Sequence, residues 1–371
     1  MSNKEYSITY PRKQFQRGFL RSLGRLVLPV AFNLRITGVE NFPKSGPLIV
    51  AGNHSSAMEV VMMSVFTPWQ VEMLAGAEIP PDEHFYEVVK NFFGFIPIKR
   101  GQMDRQALKQ CLDTLSQNGI VGIFPEGGIW EPGVKTAHNG VAWLSHRSGA
   151  PVLPIYFGGS IGAIGNAVRL KRPKITMDIG KVLAPATVPD GMSRKVYFQH
   201  YATEVMEAVR GLMPPDMPEE QAVIIDERFE FDFIVYNHVG EEIEVQHLTI
   251  DHPAALAKFL HRPGILKVFR SNLRLRTGVL EHLHQERNAR EITNALQLVL
   301  NYLNDDNPAF LTYRFGREQG KAMQRGLEEL HTLATWVADS HATLHLKPIR
   351  RYHLPDQAEE IVQIKQEKFR K

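Results

Sequence analysis

His54 ends an apolar run, Leu48-Ile-Val-Ala-Gly-Asn-His54, and Glu59 follows five residues later. An imidazole titrates near neutrality, so one ring nitrogen can take a hydroxyl proton and return it in the next step. A carboxylate on the other ring nitrogen fixes the tautomer and stabilises the imidazolium. The pairing alone is weak evidence, because 15 His and 40 acidic residues in 371 give roughly 1.6 His-x4-acid matches by chance. Glu59 also has a plainer reading: Ser56-Ala-Met-Glu59 has the form of a capping box, in which the Glu bonds the backbone N–H of the cap. A dyad requires His54 to precede the helix and Glu59 to point back from its first turn.

A second constellation is Phe124-Pro125-Glu126-Gly127-Gly128, after the apolar run Ile120–Phe124. Phe-Pro-acid-Gly is expected roughly 0.01 times at this composition. Proline ends a strand, and paired glycines let backbone amides approach a ligand. A strand-to-loop turn explains the Pro and Gly but not the Glu, whose carboxylate can accept from hydroxyls or orient a cation. Third, Phe95-Ile-Pro-Ile98 runs into Lys99-Arg100, adjacent cations suited to a phosphate, although such a pair is commonly solvated surface. Fourth, Val152-Leu-Pro154-Ile155 reads as a buried strand without chemistry of its own.

In this order and spacing the four blocks resemble the glycerolipid acyltransferases of the 1-acyl-glycerol-3-phosphate acyltransferase family (PlsC-like). That family carries a His-x4-Asp dyad, an apolar block ending in a basic residue, a Phe-Pro-Glu-Gly block and a Val-Pro-Ile-like strand. Ile36-Thr-Gly-Val-Glu-Asn-Phe-Pro also resembles its lead-in strand, so the likeness spans residues 15–212. It departs at two points. Glu59 stands where the family has Asp, and Gly128-Ile129 where it commonly has Thr-Arg, which removes a phosphate-binding cation.

The resemblance implies acyl transfer from a thioester, acyl-CoA or acyl-carrier protein, to a hydroxyl of a lysophospholipid or glycerol-phosphate acceptor. His54 would be the general base and Glu59 its orienting partner, with Lys99, Arg100, Glu126 and Gly127 binding substrate. It implies no metal, no cofactor beyond the acyl co-substrate and no acyl-enzyme. Two other readings stay open. One is a lipid-binding protein of the same fold whose dyad is silent. The other is a serine hydrolase, since Gly158-Gly-Ser160-Ile-Gly162 satisfies G-x-S-x-G after a strand, with His200 and Asp178 or Asp190 as nominal partners.

The elements that must hold these residues follow from periodicity. Strands are expected at Leu48–Ala51, Val71–Leu74, Ile120–Phe124, Val152–Phe157 and Ile175–Ile179. Helices are expected at Val60–Phe66, Arg105–Leu115, Ala137–His146 and Lys195–Leu212. The expected fold is α/β: a mixed sheet flanked by helices, with an N-terminal amphipathic helix and a smaller, mainly helical C-terminal module. The expected division is a basic amphipathic segment over 1–35, an acyltransferase-like domain over 36–212, a Pro-rich linker over 213–221 and a module of unknown role over 222–371. In that module Phe229, Phe231, Phe233 and Val235 alternate with polar residues, and with Glu241–Ile250 they suggest a hairpin closed near Gly240. Helical patterning follows to Asp339, and the charged tail Gln357–Lys371 reads as a solvated helix or frayed end.

Composition agrees with a globular chain: 43% hydrophobic and 22% charged. One cysteine, Cys111, excludes an intramolecular disulfide framework and multi-cysteine metal clusters. The histidines at 282, 284, 341, 345 and 353 lack metal-ligand spacing. The net charge of +3 conceals a basic head, since eight Lys/Arg against Glu5 and Glu40 make residues 1–50 carry +6. That asymmetry suggests an anionic surface as partner rather than a nucleic acid. Arg17, Arg21 and Arg25 recur every four residues beside Phe19, Leu20, Leu23, Leu26 and Val27, the pattern of a helix in a bilayer interface or of a surface helix packed on its own domain. No stretch reads as a transmembrane helix or signal peptide. The expected location is therefore peripheral, on the cytoplasmic face of a membrane.

Overall fold

A computed structural model describes residues 8–76, 92–99, 104–126, 137–216, 227–245, 248–273, 275, 287–352 and 360–364. They fall into two compact units. The first holds the described residues of Met1–Ala77, Glu87–Ile98 and Asp104–Ala222; the second holds Lys99 and those of Val223–Lys371.

The first unit is a seven-stranded mixed sheet. Its strands are β1 (Asn33–Thr37), β2 (Leu48–Gly52), β3 (Val71–Gly76), β4 (Ile96–Ile98), β5 (Ile120–Ile123), β6 (Val152–Gly158) and β7 (Lys174–Ile179), in the order β1-β7-β6-β2-β5-β3-β4. Every pairing is parallel except β6 with β7. β2, β5 and β6 are buried along nearly their whole length, as continuous apolar runs covered on both faces must be. One face packs α3 (Arg105–Ser116), α4 (Gly140–Ser148) and α6 (Arg194–Arg210) through Cys111, Val141, Leu144 and Val205. The other packs α2 (Met58–Phe66) through Met58, Met62 and Met63. A short helix, α5 (Ala163–Val168), lies in the connection from β6 to β7.

Register places the functional loops together. Gly52 pairs with Ile155 and Ala51 with Ile123, so the chain leaves β2, β5 and β6 at one edge of the sheet. Because β7 runs against β6, and β1 parallel to β7, β7 and β1 enter at that same edge. Loops at the carboxyl ends of parallel strands, on either side of a central strand, are where α/β sheets bind ligands.

The N-terminal helix α1 (Gln14–Ala31) turns its arginines toward the domain. Arg17 is fully buried: its Nη1 and Nη2 donate to Glu72 at 2.6 and 2.9 Å, and its Nε to the Phe93 carbonyl at 2.8 Å. Arg25 donates to the carbonyls of Val65 and Thr67 at 3.0 and 3.1 Å, and Arg21 also donates to Thr67. These carbonyls sit at the C-terminal end of α2, where helical acceptors lack intrahelical donors and attract cations. Gly24 completes the contact, since a Cβ there would meet Val65 at 2.9 Å. The arginines thus hold α1 to the domain, and the apolar stripe of Phe15, Phe19, Leu23, Leu26, Val27 and Val30 faces outward, with Phe15 87% exposed.

The second unit is a five-stranded antiparallel sheet covered by helices. Long β8 (Glu227–Tyr236) pairs along its full length with β11 (Thr343–Tyr352), flanked by β9 (Glu242–Ile243), β10 (Arg287–Asn288) and β12 (Ile361–Gln363). The helices are α7 (Pro253–Leu260), α8 (Pro263–Asn272), α9 (Ala289–Asn301), α10 (Phe310–Phe315) and α11 (Arg317–Asp339). Phe259, Phe269, Tyr302 and Phe310 make an aromatic core at ring-centroid separations of 4.8 to 6.0 Å. Two expectations are corrected. The partner of β8 in the hairpin is two residues long rather than Glu241–Ile250, and within the charged tail Ile361–Gln363 form strand β12, while 357–359 and 365–371 lie outside the described residues. The main partner of β8 is the distant β11, whose Leu344, Leu346 and Pro348 stand opposite Val235, Phe233 and Phe231.

Candidate active site

The edge where β2 ends carries His54 and Glu59. Asn53 anchors the turn, its side chain exchanging two 2.8 Å hydrogen bonds with the backbone of Phe157 on β6. His54 then lies flat against Phe124, with ring centroids 4.2 Å apart and planes 14° from parallel. The backbone N–H of His54 donates to Glu126 Oε2 at 2.9 Å, which ties the first motif to the Phe-Pro-Glu turn. Glu126 therefore meets the functional loop 72 residues before it, a role that a simple strand-to-loop turn does not give.

Glu59 makes a contact of each kind that its two sequence readings call for, with a backbone N–H of the helix start and with the His54 ring. It lies in the first turn of α2, fully buried, and points back toward the loop. The backbone N–H of Ser56 donates to its two oxygens at 2.9 and 2.8 Å, and that of Ser55 to Oε1 at 3.2 Å. The N–H of Met58, rather than that of Glu59, donates to Ser56 Oγ at 3.0 Å, so the Glu59 half of a capping box is made and the serine half is shifted by one residue. Its Oε2 also lies 3.4 Å from His54 Nδ1, whose side chain is 11% exposed. With Nδ1–H turned to Glu59, the lone pair sits on Nε2, the nitrogen then placed to take a proton.

Ser160 supplies a contact that spacing did not reveal. It lies at the end of β6, 101 residues from Glu59, is buried, and donates its hydroxyl to Glu59 Oε1. That contact answers the serine-hydrolase alternative on geometry. A buried hydroxyl donating to a carboxylate is not presented to a substrate carbonyl, and the nominal partner His200 is exposed on α6. Asp178 bonds Thr37 and faces Arg35. The G-x-S-x-G pattern points to another role for Ser160, and no local signal in the sequence marks its contact with Glu59.

The other expected site residues divide. Lys99 is exposed, follows β4 and falls in the second unit. Arg100 and Gly127 lie outside the described residues. Met62 and Met63 of α2 are fully buried in the sheet core.

A histidine held between a stacked aromatic ring and a buried carboxylate, at the carboxyl edge of a mixed α/β sheet, has the parts of an acyl-transfer site. Comparison with known proteins gives the same class. The acyltransferase family model matches residues 33–158, which include His54, Glu59 and Glu126. The 1-acyl-sn-glycerol-3-phosphate acyltransferase of Bacillus subtilis (strain 168) is 24% identical over 163 residues, 44% of this chain and 79% of that protein. The crystal structure of the 1-acyl-sn-glycerophosphate (LPA) acyltransferase PlsC from Thermotoga maritima aligns over 55% of this chain and 83% of its own. Its sequence identity is 20% and its TM-score 0.40. Over residues 33–158 the chain is thus similar to the acyltransferase family, with a 1-acyl-sn-glycerol-3-phosphate acyltransferase among its relatives.

Proposed function

We propose that the chain transfers a fatty acyl group from a thioester, acyl-CoA or acyl-carrier protein, to a hydroxyl of a lysophospholipid or glycerol-phosphate acceptor at a membrane surface. The observation that carries this reading is the pairing of His54 Nδ1 with the fully buried carboxylate of Glu59 at 3.4 Å. Nε2 removes the acceptor hydroxyl proton as the oxygen attacks the thioester carbonyl, and the imidazolium returns it to the leaving thiolate. Glu59 holds the tautomer and stabilises the imidazolium. Glu126 fixes the loop that presents His54, and Lys99, Arg100 and Gly127 are assigned to the phosphate and headgroup. The chemistry calls on no resident metal or cofactor.

The outward stripe of α1 supports the membrane half of the proposal. No helix among the described residues is long and apolar enough to cross a bilayer. A helix held to its domain by arginines, with large apolar side chains exposed along its other face, fits one lying at the interface. The acceptor would then be taken from the leaflet on which the protein rests.

Mass spectrometry of lipids formed by the purified protein from a panel of acyl thioesters and lysolipids tests this directly. A lysolipid gaining one acyl chain, matched by release of one thiol, is the expected product. Hydrolysis of the thioester without lipid acylation, or no turnover with any pair, contradicts it; binding without turnover is the signature of the silent lipid binder.

A further inference from the structure

We infer that the β6–β7 connection is a second bilayer-contacting element, selective for anionic lipid, seated beside α1 at the edge of the sheet that carries His54. The inference rests on the membrane reading of α1 and adds a surface and a lipid preference to it.

Exposed large apolar side chains are concentrated in two places. Among the described residues of the first unit, ten of fifteen lie on α1 or in the connection from Ile161 to Leu170. In the connection, Ile164, Val168 and Leu170 point outward, Val168 at 78% and Leu170 at 89% exposure. Arg169, Lys171 and Arg172 interleave with them, all exposed, and residues 159–173 contain no acidic side chain. Apolar anchors alternating with unopposed cations complement a surface of acyl chains beneath anionic headgroups.

The local backbone is arranged for presentation rather than packing. Helix α5 ends in a Schellman turn, with Leu170 N–H donating to the Ala167 carbonyl at 2.8 Å and Lys171 N–H to the Asn166 carbonyl at 3.0 Å. Leu170 occupies the left-handed position of that turn at φ 58°, where glycine or asparagine is strongly favoured. A leucine there is disfavoured by its Cβ, and at 89% exposure it gains nothing from the protein's own core. A broken local rule without an internal gain points to a gain outside the fold.

Position supports the same occupant. Arg172 donates to the Pro29 carbonyl of α1 at 3.0 Å, and Asn33 N–H donates to Pro173 at 3.0 Å, so the connection and the C-terminal end of α1 meet. The connection starts at Ser160, whose hydroxyl holds Glu59. A leaflet contacting both elements therefore lies along the edge of the sheet that carries the His54 loop.

The test uses an environment-sensitive fluorophore on single introduced cysteines: Leu170→Cys, Val168→Cys as a second position should the first disturb the turn, Leu26→Cys on α1, and Val39→Cys at the opposite edge. Burial pushes the native Cys111 thiol up to about 12, so it stays unreactive. Each labelled protein is mixed with vesicles of phosphatidylcholine alone or of equal parts phosphatidylcholine and phosphatidylglycerol. The inference expects a blue shift at 170, 168 and 26 with the anionic vesicles and none at 39. Pairing Arg169→Glu with Lys171→Glu should raise the lipid concentration needed for the shift at 170 by about tenfold or more. A shift at 26 with aqueous emission at 168 and 170 overturns this inference and leaves the α1 reading standing. Silence at all positions overturns both. Equal shifts on the two vesicle types overturn the anionic preference.

Discussion

At the scale of single residues, the site turns on how Glu59 is held. Its carboxylate accepts from the backbone of Ser55 and Ser56, from the Ser160 hydroxyl, and faces His54. The longer side chain, by one methylene than aspartate, still reaches Nδ1 because the capping donors turn it back over the first turn of α2. Glu59→Gln keeps the shape and removes the charge that stabilises the imidazolium. It is expected to lower kcat about a thousandfold with KM little changed. Ser160→Ala leaves a buried carboxylate short of one donor, which should lower stability by about 1–3 kcal/mol and lower kcat less than Glu59→Gln does. Steady-state kinetics and urea unfolding of both variants decide this. His54, Glu59 and Glu126 were legible in the sequence because each stands in a local motif. Ser160 was not, because its meeting with Glu59 depends on β6 lying next to β2, a fact of strand order rather than of spacing.

At the scale of elements, α1 shows where a pattern underdetermines an orientation. Arginines every fourth residue beside an apolar stripe define two faces but not which one is inward. The choice is made by Glu72, buried on β3, and by the carbonyls at the end of α2, none of which is local to α1. Arg17→Ala removes the buried partner of Glu72 and leaves that carboxylate, among the described residues, with the partly exposed Arg12 at 2.8 Å. Breaking a buried pair from one side is expected to destabilise the protein by about 3 kcal/mol, read from the urea midpoint. Strand β11 escaped the sequence for a different reason. Its run Thr-Leu-His-Leu-Lys-Pro-Ile-Arg-Arg-Tyr places a proline and several basic residues where an alternating strand is sought. The proline is accommodated beside β8, and its carbonyl faces the buried ring of His261, with Nε2 to oxygen at 3.0 Å.

At the scale of the whole molecule, the continuous apolar strands of the first unit were readable because parallel strands buried on both faces announce themselves, whereas the second unit's half-solvated sheet is written in weaker alternation. The family model likewise matches residues 33–158, most of which belong to the first unit. The second unit contributes its own acid sensitivity. Burial foremost, with the guanidiniums of Arg350 and Arg262, holds His261 below its ordinary 6.5 against the raising effect of the Pro348 carbonyl. The unfolded chain takes up that proton before the folded one does. Stability should therefore fall as pH drops from about 6.5 through the lowered folded value, then level off. Replacing His261 by Gln should flatten the urea-midpoint profile on the acid side of about 6.5. The activity of the whole chain is tested most directly by following thiol release from an acyl thioester in the presence of lysolipid, with the wild-type protein beside His54→Ala. The account predicts acceptor-dependent release that the variant loses while its unfolding midpoint is unchanged. Equal release by a folded His54→Ala protein would contradict it.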